Sequence, residues 1–97
     1  MGALAEIFTS VPPAFHENIK FLLKKASDHA YNNLVGIRGL KPIKGSGAMY
    51  MMINIDMTQF KDIEDDVDFA VKMMNEECVL LFPGYCFFTK NAFRIVY

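Results

Sequence analysis

At 97 residues, with 53% hydrophobic and 22% charged side chains, the chain is one globular domain at most, near the low end of the size at which a single core suffices. Ten basic against eleven acidic residues leave a formal charge of -1, and no basic stripe, zinc-finger spacing or basic–aromatic patch is present, so nucleic acid is excluded as an expected partner. Two cysteines are too few for a disulfide-stapled scaffold, no apolar run reaches membrane-spanning length, and residues 1–8, with Glu6 and no basic leader, do not read as a signal peptide. The expected compartment is therefore the cytoplasm, with no membrane partner.

Residues 1–8 read as the end of a helix broken by Thr9-Ser10-Val11-Pro12-Pro13. Proline lacks a backbone donor but fits the first helical turn, so a helix is predicted to begin near Pro13. Phe15, Ile19, Leu22, Leu23, Ala26, Ala30 and Leu34 then recur at helical spacing, with Lys20, Lys24, Lys25, Asp28 and Asn32 opposite. That pattern predicts an amphipathic helix of about twenty residues. Gly36 and Gly39 end it, the second as a left-handed cap. Residues 41–47, with a proline, two glycines and a serine, read as a loop.

Residues 48–55 form a continuous apolar run too short for a typical helix, which predicts a strand buried on both faces. After a connection over 56–62, Asp65 can cap a second helix, with Asp68 in the place of the usual glutamate of a capping box. Asp62, Glu64, Asp65, Asp66 and Asp68 suit the positive end of that helix dipole. Ile63, Val67, Ala70, Val71 and Met74 supply its apolar stripe. Residues 78–82 read as a second strand, stopped by Pro83-Gly84, and residues 93–97 as a third. Cys78 is expected to be a buried small hydrophobe and Cys86 an exposed loop residue without a basic neighbour to activate it. The order helix, strand, helix, strand, strand predicts an α/β fold of α+β type: helices packed on one face of a small, mostly antiparallel sheet. The other face is expected to need further sequence or a partner, and a last strand with nothing after it is expected of a piece of something larger.

Four local features together resemble the tyrosine aminotransferase branch of the fold-type I (class I/II) pyridoxal-phosphate aminotransferase family. They are Pro13-Ala14-Phe15 before a long helix; Ile37-Arg38-Gly39-Leu40-Lys41-Pro42 followed by Ser46-Gly47-Ala48-Met49-Tyr50; the capped helix opening Asp65-Asp66-Val67-Asp68-Phe69; and Leu81-Phe82-Pro83-Gly84 followed ten residues on by Arg94-Ile95-Val96. The likeness runs from about residue 9 to residue 97, by the order and spacing of these motifs. It implies that residues 1–97 are the small C-terminal domain portion of such an enzyme, with the large pyridoxal-phosphate domain upstream. It also implies a homodimer that moves the amino group of L-tyrosine to 2-oxoglutarate.

The resemblance assigns one residue. Arg94 matches the arginine that clamps the substrate α-carboxylate, and a planar guanidinium offering two parallel donors suits that task. Taken alone, an arginine between Phe93 and Ile95 says only that one strand face is partly polar. Both substrates carry an α-carboxylate, so the same arginine would serve each. Phe87 is a candidate for contact with the substrate side chain, Tyr50 reads as a packed strand aromatic, and Pro83-Gly84 as a shape-setting turn. Gly47 is expected to need a positive φ or a close approach. The family usually has proline where this chain has Gly45, which implies a looser loop.

No catalytic or cofactor-binding residue is carried over. The Schiff-base lysine, the acid paired with the pyridine nitrogen, the stacked aromatic and the phosphate ligands all lie upstream in the resemblance, and none of the lysines here has a matching context. The chain alone is thus expected to be inactive. His16 and His29 lack a second ligand at helical spacing, so no metal is expected. Lys44-Gly45-Ser46-Gly47 lacks the spacing and preceding strand of a phosphate loop. The sequence also admits a non-catalytic small α/β binding module, a partner-docking domain, or an aminotransferase of alanine, kynurenine or broad aromatic specificity.

Overall fold

The computed structural model describes residues 2–97. Two prolines divide the first helical stretch: α1 spans Leu4–Ser10, and α2 spans Pro13–Val35 with Pro13 in its first turn. At 23 residues α2 matches the predicted helix, but its apolar stripe is only half used. Ala30, Tyr31 and Leu34 pack on the core, whereas Phe15, Ile19 and Leu22 stay exposed along the N-terminal half. The helix runs past the sheet it rests on, which gives a radius of gyration of 16.9 Å against the roughly 13 Å of a packed domain this long. No helix among the described residues is long and apolar enough to cross a membrane.

The sheet has four strands in the order β1-β2-β4-β3, every neighbouring pair antiparallel. These are β1 (Leu40–Pro42), β2 (Tyr50–Ile55), β3 (Phe82–Pro83) and β4 (Ala92–Val96). Strand β1 was not expected, since residues 41–47 read as a loop. It pairs Leu40 with Ile55 and Pro42 with Ile53, and an edge position tolerates a residue that cannot donate. The expected second strand shrinks to β3. Cys78 turns left-handed at φ 55, and residues 79–81 run on without ladder bonds. Cys78 is therefore exposed rather than buried.

Strand β2 is not buried on both faces. Met51, Ile53 and Ile55 are buried while Tyr50 before them and Asn54 between the last two are exposed and Met52 is half-buried, because the helices cover one face only. Strand β4 continues that covered face with Phe93, opposite Ile53, and Ile95, opposite Met51.

Helix α3, Asp66–Glu77, begins as predicted. Asp65 accepts from the Asp68 amide at 2.7 Å, and Asp68 reaches back to the Glu64 amide at 3.1 Å. Its buried face keeps Ala70 of the expected stripe, with Ile63 just before the helix packed on the core, but is turned from the rest: Val67, Val71 and Met74 are exposed, while Phe69, outside the stripe, is buried. The ring of Phe69 decides the rotation by stacking on Phe93 at 5.1 Å, with Phe60 edge-on at 5.9 Å. Gly39 enters β1 at φ +90, and a Cβ there would stand 2.7 Å from the Phe60 ring.

Two predictions follow from this packing. Gly39→Ala combines a strained φ with overpacking against Phe60 and is expected to destabilise the chain by about 1–3 kcal/mol in urea unfolding. Hydrogen bonding from Glu64 and then Lys72 holds the Asp68 carboxyl below its usual pKa. The unfolded chain therefore takes up that proton first on acidification. Its contribution is present above about pH 4 and lost as pH falls through the lower folded value. Unfolding midpoints measured from neutral pH to about pH 3 should fall less steeply for Asp68→Asn than for the parent.

Candidate functional site

Successive side chains of a strand point to opposite faces, so Phe93 in the core places Arg94 on the uncovered face. There Arg94 lies between Met52 on β2 and Phe82 on β3, its directly paired neighbours. Three rings surround its guanidinium carbon: Phe87 at 4.2 Å, Tyr50 at 4.9 Å and Phe82 at 5.3 Å. A cation over an aromatic ring gains about 0.5–2 kcal/mol depending on desolvation, so three such contacts restrain the group firmly.

The restraint leaves hydrogen-bonding capacity unused. The Arg94 Nε is buried with no partner, and no carboxylate pairs with the guanidinium among the described residues. A buried donor without an acceptor costs about 1–3 kcal/mol. The arrangement can therefore receive a planar anion, above all a carboxylate presented edge to edge.

Each ring comes from a different element. Tyr50 opens β2, Phe82 forms β3, and Phe87 ends a 3-10 turn over Gly84–Phe87. That turn folds over the corner of the sheet at Ala92, which is completely buried. It lies so close that a Cβ on Gly84 would stand 2.8 Å from the Thr89 carbonyl oxygen.

Of the residues singled out in the sequence, Arg94, Tyr50 and Phe87 are brought together, with Tyr50 acting as a wall of the site rather than as mere packing. Phe82 was missed. Its place beside Arg94 depends on the β3–β4 register, which no local pattern displays. Gly47 does not behave as expected: it has no positive φ and no atom crowds its Cβ position. The left-handed conformation of that turn falls on Ala48, at φ 60. Gly45 is the glycine with near neighbours, the Tyr97 hydroxyl lying 3.5 Å from its Cβ position.

Residues 44–48 and α2 border a second cleft of about 520 Å³, lined by Lys20, Lys24, Ser27, Lys44 and Tyr97 among others. Its lysines are partly engaged, Lys20 with Glu17 at 2.5 Å and Lys44 with Asp28 at 3.5 Å. His29 contacts Asn33, and no three His, Cys, Asp or Glu side chains among the described residues converge to hold a metal.

The aminotransferase class I and II family model matches residues 3–97. The chain belongs to that family. It is 41% identical to bovine tyrosine aminotransferase over 95 residues, 98% of this chain and 21% of the relative. Rice nicotianamine aminotransferase 1 is 34% identical over 97 residues, 99% of this chain and 20% of that protein. Among solved structures, tyrosine aminotransferase from Leishmania infantum superposes with a TM-score of 0.87 at 25% identity, over 97% of this chain and 23% of the other. The chain thus spans about a fifth of the length of the curated relatives it matches.

Members of this class work with pyridoxal phosphate, and the residues present do not fit a site for it. Every lysine but Lys72 is exposed, and Lys72 is tied to Asp68 and to the Asp62 carbonyl. Incubated with pyridoxal phosphate and borohydride, the chain is expected to yield no stoichiometric adduct at a single lysine. A single trapped lysine, located by peptide mass mapping, would overturn that expectation.

Proposed function

We propose that these 97 residues serve as the small domain of a pyridoxal-phosphate-dependent aminotransferase that moves the amino group of L-tyrosine to 2-oxoglutarate, and that Arg94 receives the α-carboxylate of each substrate. The observation that carries the reading is the guanidinium of Arg94, caged by three rings and without an anionic partner among the described residues. Supporting it are the tyrosine aminotransferases among the relatives. In this reading the cofactor is held by residues outside the 97, and the working enzyme is a cytoplasmic homodimer.

The role of the site is orientation. Two parallel hydrogen bonds from Arg94 fix the plane of the substrate carboxylate, and the flanking rings stop the guanidinium from following a badly placed ligand. The substrate α-carbon then has one allowed position relative to a cofactor held elsewhere. Because both substrates share the α-carboxylate, one arginine accommodates the exchange of a neutral aromatic acid for a dicarboxylate. The nicotianamine aminotransferases among the relatives favour a second reading, in which the clamp is the same and the amino donor differs.

Kinetics on the cofactor-loaded protein that carries this chain would test both parts. Arg94→Lys keeps the charge but loses the fork, and is expected to lower kcat/KM for tyrosine and for 2-oxoglutarate in parallel, by about 100-fold. Unchanged values would remove Arg94 from the site. A donor screen in which nicotianamine or alanine outpaces tyrosine would replace the proposed substrate while keeping the clamp.

A further inference from the structure

Asp66 is a buried carboxylate, 5% exposed, with no cation beside it among the described residues. Burying a charge without compensation is costly, so its remaining partner matters. The capping of α3 does not need it, since Asp65 and Asp68 already exchange those bonds. Its Oδ2 instead accepts from the backbone amide of Tyr85, 19 residues further on, at 2.8 Å.

Tyr85 belongs to the Gly84–Phe87 turn, whose last residue supplies the ring nearest the Arg94 guanidinium. Its other backbone hydrogen bonds stay within the turn and the residues just after it, Thr89 N–H to Gly84 and Phe88 N–H to Tyr85, while Gly84 packs against Ala92 of β4. The bond from Asp66 ties it to α3. Helix α3 is in turn fixed to the sheet by Phe69 on Phe93. A path of contacts therefore leaves β4 at Phe93 on the covered face, passes through Phe69, Asp66, Tyr85 and Phe87, and returns to β4 at Arg94 on the open face.

We propose that Asp66 is a positioning residue of the carboxylate site: through the Tyr85 amide it holds the Gly84–Phe87 turn so that the Phe87 ring keeps the Arg94 guanidinium in the plane that meets a carboxylate. The proposal rests on the reading of Arg94 as a carboxylate clamp. Its direct sign is geometric. A ring held 4.2 Å from the guanidinium carbon displaces the Arg94 Nε–H proton resonance upfield, and loosening the turn releases it.

The test uses the whole chain labelled with 15N-arginine, in which Arg38 serves as internal reference, and 3-(4-hydroxyphenyl)propionate as the carboxylate probe. Asp66→Ala is expected to move the Arg94 Nε–H resonance toward its position in Phe87→Leu and to weaken probe binding about tenfold. Asp66→Asn keeps an acceptor oxygen for Tyr85 and should restore both toward the parent values. If Asp66→Ala does not fold, Asp66→Ser, whose hydroxyl stops short of Tyr85, replaces it with the same expectation. A parent-like resonance together with affinity within about twofold of the parent in these variants overturns the positioning role. Arg94→Ala separates the two claims: if it binds the probe as the parent does, the clamp reading falls, whereas the resonance still decides whether Asp66 controls the turn.

Discussion

The stacking of Phe69 on Phe93 is the contact on which the rest of this small unit depends. It seats α3 on the sheet, sets which face of that helix is buried, and turns Phe93 inward. Strand alternation then leaves Arg94 no choice but the open face. An aromatic pair of this kind contributes about 0.5–1.5 kcal/mol beyond the area it buries. That is modest against the whole, but its geometric consequence is out of proportion to its energy. A one-residue slip of β4 would bury the guanidinium among Met51, Ile53 and Ile55 and expose a phenylalanine, so the register is strongly specified.

In the proposed clamp, the cage around Arg94 also solves a problem of competition. A resident carboxylate would hold the side chain in place, but it would occupy the donors that an incoming carboxylate needs. Aromatic faces attract the cation without taking an in-plane N–H. Tyr50, Phe82 and Phe87 thus fix position while leaving hydrogen-bonding capacity available. The absence of an acid beside Arg94 among the described residues and the three rings around it are two aspects of one arrangement.

Much of the architecture was legible because its signals are local. Pro12-Pro13 announced the break between α1 and α2, and the Asp65/Asp68 pair announced the start of α3. What was not legible depended on partners distant in sequence. Strand β1 is defined by Ile53 and Ile55 across the ladder rather than by its own three residues, one of them a proline. The rotation of α3 comes from Phe93, so the stripe read from Ile63, Val67, Ala70, Val71 and Met74 holds at Ile63 and Ala70 and misses at Val67, Val71 and Met74. At the site, Arg94 was found through its motif, and Phe87 and Tyr50 were noticed as aromatics. Phe82 and Asp66 carry no sequence signal for their places, since one is set beside Arg94 by register and the other meets a backbone amide 19 residues further on.

Confinement by three rings also changes when the entropy of the Arg94 side chain is lost. Arginine has about 2 kcal/mol of rotamer entropy to lose, and here much of that loss happens on folding rather than on binding. In the proposed clamp, affinity for a carboxylate would be thermodynamically linked to the integrity of one sheet corner. A carboxylate bound there would raise the stability of that corner, and local loosening would weaken its binding before the fold as a whole gives way.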